Sequence, residues 1–119
     1  MAITVTNPTP GKTGFMLNGV SADASLCEVL KAAPAAGLHI IVDHLTINNG
    51  AGAQSITIGE DEAANDVVTA LLGPIAMAAN TSLQWDFSPA GMVLTAAKSL
   101  TVDSTSNTAL CIFARGRVE

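Results

Sequence analysis

His39, Asp43 and His44 lie close together in the chain and are the side chains best suited to hold a divalent metal. A zinc site takes three or four such ligands at workable spacing. No third and fourth ligand stands at that spacing here, so the expectation is ordinary strand histidines and no metal. Cys27 and Cys111 are the two cysteines. A nucleophilic thiol needs a base and an electropositive setting such as a helix N-terminus. No helix is expected near either, so both are read as buried free thiols of a reducing compartment, with a disulfide left open should their strands adjoin. Glu60-Asp61-Glu62 with Asp66 could attract a cation, but lacks the alternating ligands and central glycine of an EF-hand loop. It reads as an exposed acidic loop. Gly11-Lys12-Thr13 and Gly50-Ala51-Gly52 would need a strand–loop–helix context to cradle phosphate, and read as turns. Glycoside hydrolysis by paired carboxylates calls for an aromatic-lined cleft. The chain has one Trp, three Phe and no Tyr, and Trp85 and Phe87 alternate as a core pair. No catalytic, cofactor-binding or metal-binding residue is assigned, and the chain is not expected to be an enzyme.

The elements that carry these residues follow a period of two. Ala2 to Thr6 reads as a short strand, stopped by Asn7-Pro8-Thr9-Pro10-Gly11. Residues 1–10 thus form an N-terminal arm, and 11–119 a single domain. Leu26 to Lys31 fits a strand or one helical turn, ahead of a turn at Ala35-Ala36-Gly37. Leu38 to Asn48 is the clearest strand. Ile40 and Val42 share one parity, Leu45 and Ile47 the other, so one extra residue is expected as a β-bulge near Asp43-His44. Asn48 to Gly52 is a turn cluster, and Gln54 to Gly59 a strand. Val67 to Ala78 is apolar but broken by Gly73-Pro74, and Pro74 belongs at an edge or a strand start. Ser82 to Phe87 alternates, with Leu83, Trp85 and Phe87 inward. Short strands over Met92–Thr95, Ser99–Asp103 and Thr108–Val118 complete the chain. About eight short strands with turn signals between them predict an all-β fold, an antiparallel β-sandwich or jelly roll.

Composition narrows the function. The chain has 119 residues, 49% hydrophobic and only 13% charged, with a net charge of −5. Charged residues usually make up about a quarter of a soluble chain. A small domain with so few must leave apolar area outside its core, and burial against sister subunits is the natural cover. Lys12, Lys31, Lys98, Arg115 and Arg117 form no basic stripe, so neither nucleic acid nor an anionic membrane is an expected partner. No apolar run approaches the roughly 20 residues of a membrane helix. The first residues lack the basic start and apolar stretch of a signal peptide, and a cytoplasmic site of synthesis is expected.

Three segments carry a family likeness: Leu30-Lys31-Ala32-Ala33-Pro34-Ala35-Ala36-Gly37-Leu38-His39-Ile40-Ile41-Val42 with Leu45-Thr46-Ile47-Asn48-Asn49; Gly73-Pro74-Ile75-Ala76-Met77-Ala78-Ala79-Asn80 leading into Leu83-Gln84-Trp85-Asp86-Phe87-Ser88-Pro89; and Leu94 to Val102, running on to the closing strand. Together they resemble small trimeric β-sandwich structural proteins of tailed bacteriophages, of the capsid decoration (cement) type. The resemblance implies a homotrimer that binds the major capsid protein and stabilises the phage head. It also implies a place in the virion, assembled in the host cytoplasm, with no cofactor. The candidate interface residues are Ala2, Ile3, Val5, Asn7, Pro8 and Pro10 of the arm, which could add a strand to a neighbouring sheet. Two rivals are kept: a tail-fibre or receptor/carbohydrate-binding module with exposed aromatics, and a cupin-like metal enzyme with histidines facing a barrel interior.

Overall fold

A computed structural model describes residues 4–6, 14–21, 28–61, 69–106 and 109–119. Their regular structure is all β: β1 (Thr4–Thr6), β2 (Gly14–Ser21), β3 (Glu28–Lys31), β4 (Ile40–Asn49), β5 (Gln54–Asp61), β6 (Thr69–Met77), β7 (Ser82–Asp86), β8 (Met92–Val93), β9 (Ser99–Ser104) and β10 (Leu110–Val118). One sheet runs β1-β2-β10-β4-β7, with β8 also on β4, and the other runs β3-β9-β5-β6. Every pairing is antiparallel. Without β1 and β8, the strand orders are 2-10-4-7 and 3-9-5-6, the two interleaved Greek keys of a jelly roll. The expected sandwich is therefore the observed one, with β1 and β8 as additions to its eight strands.

Alternation decides which side chains fill the space between the sheets. Ile40, Val42, Leu45 and Ile47 of β4, Ile56 and Ile58 of β5, Leu100 and Val102 of β9 and Leu110, Ile112 and Ala114 of β10 are buried there. Branched aliphatics at every second position suit a pleated surface and pack closely against the opposite face.

The predicted bulge sits at Asp43. On β10, Arg115 pairs with His44 and the next residue, Gly116, pairs with Val42, which leaves Asp43 as the extra residue. The flip lets both Val42 and Leu45 point inward. Asp43 does not go unsupported: its carbonyl accepts from the N–H of Phe87 at 2.8 Å, and its carboxylate pairs with Arg117 at 2.9 Å. The bulge also draws the two chains together. A Cβ on Gly116 would overlap the carbonyl oxygen of Ile41, so only glycine fits opposite it.

Pro74 lies on an edge strand as expected, since among the described residues β6 pairs only with β5. The ambiguous segment before Pro34 is the strand β3. Three expectations are corrected. Gly14–Ser21, for which the sequence predicts no strand, forms β2, and Phe15 and Leu17 alternate into the core from it. Glu60 and Asp61 end strand β5 rather than form an exposed loop, and Glu60 is buried. Asn48 and Asn49 end β4, so the turn is shorter than expected. Glu62 and Asp66 lie outside the described residues.

Candidate assembly surface

The two histidines are held apart. His39 Nδ1 lies 2.7 Å from the carbonyl oxygen of Leu94, while His44 Nε2 lies 3.0 Å from Thr46 Oγ1. The bulge gives both residues the same parity, but the strand between them separates them by roughly 13 Å at about 3.3 Å per residue. One ion cannot bridge that span. His44 stands on the outer face of its sheet, edge-on to Phe113 with ring centroids 6.2 Å apart. The space between the sheets, where a cupin-like site would need its histidines, is filled by aliphatic side chains. Among the described residues no three His, Cys, Asp or Glu side chains cluster as metal ligands.

Cys111 is a free thiol, but it is exposed rather than buried. Its neighbours Leu110 and Ile112 take the inward positions of β10, which turns Cys111 outward. Cys27 lies outside the described residues. Of the arm candidates, Val5 pairs with Gly19 in β1–β2, so this part of the arm lies on its own sheet. Ala2, Ile3, Asn7, Pro8 and Pro10 lie outside the described residues.

The sandwich has two open sides, and they differ. On one, β2 faces β3, and Lys31 Nζ sits 4.8 Å from the centre of the buried Phe15 ring. The lysine stem covers the core there while its charge stays at the surface. On the other side β6 faces β7. Asn49 ends β4 and Gln54 begins β5; Met77 ends β6 and Ser82 begins β7. Each connector spans five Cα steps, at most about 18 Å, against the ~10 Å between packed sheets. Connections this short suit strands that lie across from each other. A polar hub locks the two connectors together. Asn49 Nδ2 donates to the carbonyls of Gly52 and Ala78 at 3.0 and 2.9 Å, Gln54 Nε2 donates to Asn49 Oδ1 at 2.6 Å, and the Asn80 N–H donates to the Gly50 carbonyl at 2.7 Å.

Along this second side Leu72 and Ile75 of β6 and Leu83, Trp85 and Phe87 at β7 pack against the core while remaining partly exposed. Trp85 and Phe87 do point inward, but their strand is the sheet's last, so nothing described covers their flank. No charged residue occurs from Thr69 through Gln84. Edge strands are usually guarded by charge. Here β3, with Glu28 and Lys31, carries charge and β6 does not. Sequence reading found Trp85 and Phe87 as core. It missed the seam, because the seam depends on which two strands end up outermost. No protein-family model matches this chain, and no curated protein matches it.

Proposed function

We propose that this chain is a structural protein that self-associates through the β6/β7 side. On the resemblance of its sequence, we further propose a capsid decoration protein of a tailed bacteriophage, homotrimeric and bound to the major capsid protein. One observation carries the assembly reading: a partly exposed apolar seam with no charged residue from Thr69 through Gln84, on a chain whose other open side is capped by Lys31. Covering such a seam with sister copies removes apolar area from water. Jelly rolls serve viral shells, lectins and cupins alike, so the fold by itself does not choose among them. A cement role suits a multivalent oligomer, in which several weak shell contacts act together.

Light scattering coupled to size exclusion tests the assembly. The wild-type chain should run as an oligomer, and Ile75→Lys or Leu83→Lys should reduce its mass while circular dichroism stays that of a β protein. A seam variant with unchanged mass would remove the seam from the reading. Mass spectrometry of particles purified from a lysate of the source tests the virion role. The chain should appear in stoichiometric amount with the shell protein, and its absence from particles ends that assignment. Glycan-array binding lost on Trp85→Ala would favour the carbohydrate-binding alternative instead.

A further inference from the structure

The outer face of the sheet containing β4 presents its side chains in rows fixed by register. Met16, Arg115, His44 and Asp86 form one row across β2, β10, β4 and β7. Asn18, Phe113, Thr46 and Gln84 form the next, then Val20, Cys111, Asn48 and Ser82. These three rows contain two charges that ionise fully at neutral pH, Arg115 and Asp86, and both residues are exposed. They stand on either side of His44, two strand spacings or roughly 9.5 Å apart. The two form no ion pair with each other in this structure, and Arg115 has no ion-pair partner among the described residues. Asp86 Oδ1 accepts from the Ser88 N–H at 3.0 Å, which fixes its carboxylate on this face. Around the pair lie Phe113 and Met16, half-buried, and Val20, 44% exposed. Arg, Met and aromatic residues are the types enriched where proteins meet.

We infer that this face is a self-contact, pairing two copies about a two-fold axis that runs parallel to β4, above the outer face at His44 and midway between the paired sheets. Such an axis exchanges β10 and β7 between the copies. Arg115 of each copy then stands opposite Asp86 of the other, and the charges that form no ion pair within one chain meet twice across the axis. Packed sheets lie about 10 Å apart, roughly the combined reach of an extended arginine and an aspartate. An isologous contact of this kind needs a self-complementary patch, and a cation and an anion equidistant from one strand supply it. The contact is separate from the β6/β7 seam and does not depend on it.

Charge reversal decides the matter, with light scattering at low salt on the full chain. Arg115→Asp alone and Asp86→Arg alone each place like charges in both cross-axis pairs, and each should halve the mass of the wild-type assembly. The double variant recreates both pairs in reverse order and should restore that mass. High salt should act as the single variants do. Masses untouched by either reversal, or a double variant that stays dissociated, would overturn the inference. Ile75→Lys keeps the two readings apart: if the seam is real but this face is not, Ile75→Lys lowers the mass while the charge reversals leave it unchanged. If this face is real and the seam is not, only the charge reversals act.

Discussion

Thr95 holds both oxygens of the Glu60 carboxylate: its N–H donates to Oε2 and its hydroxyl to Oε1, each at 2.6 Å. Glu60 ends β5 in one sheet. Thr95 follows Leu94, whose N–H donates to Ile40 of β4 in the other. The contact therefore pins the two sheets together at one end of the sandwich, and it gives a buried carboxylate donors that replace water.

Thr95→Val keeps the shape of the side chain and removes the hydroxyl donor, which leaves Oε1 desolvated. A hydrogen bond to a charged group is worth about 1.5–3 kcal/mol, and a loss of that size is expected in urea unfolding, with the slope unchanged. Thr95→Ser retains the donor and should lose much less. Equal losses in the two variants would mean that the methyl group, not the hydroxyl, matters.

Gly116 should tolerate no side chain. The atoms that a Cβ would meet are the backbone of Ile41 and Val42, and these cannot swing aside as a flexible side chain would. Gly116→Ala should cost at least the upper end of the ~1–3 kcal/mol typical of overpacking, seen as a lower denaturation midpoint. Gly14 offers the control on a neighbouring strand, since a Cβ there meets only the Gly116 carbonyl at 3.7 Å.

Asp86 titrates below the ordinary aspartate range. The backbone N–H of Ser88 is the main cause, followed by the Ser88 hydroxyl, with smaller help from the charges of His44 and Arg115. The folded value is depressed, so the contribution of Asp86 to stability is present above about pH 4 and is lost as pH falls through the folded value. A carboxyl-carbon NMR titration should find the midpoint below the ordinary value. In Ser88→Ala it should move up only part of the way, because the N–H remains. A midpoint at or above the ordinary value contradicts this account.

How much was legible in the sequence follows from what each residue's neighbours reveal. The bulge at Asp43 could be read because the inward parity flips between Val42 and Leu45 within one strand. Pro74 announced an edge because its missing N–H bars a central position. β2 was silent because Met16 and Val20 are apolar on the outward parity, which blurs the alternation of Phe15 and Leu17. Glu60 looked solvated beside Asp61 and Glu62, and only the arrival of Thr95 from a distant part of the chain shows why it is buried. Residue type alone points Cys111 inward, whereas its place between the buried Leu110 and Ile112 turns it outward. The seam and the Arg115–His44–Asp86 row depend on strand order, which no local pattern encodes.

Thr101 offers a test in the opposite direction, a substitution that should stabilise. It sits in β9 between Val29 of β3 and Gly59 of β5, fully buried. Its hydroxyl has no hydrogen-bond partner among the described residues. A buried hydroxyl without a partner has lost its water and gained nothing, at a cost of about 1–3 kcal/mol. Valine has nearly the same shape and an equal liking for strands. Thr101→Val should therefore raise stability by about 1 kcal/mol, which for a domain of this size is roughly 4 °C in melting temperature. Thr101→Ser keeps the hydroxyl, drops the methyl and should lower it. A valine variant less stable than wild type would show that the Thr101 hydroxyl finds an acceptor in solution.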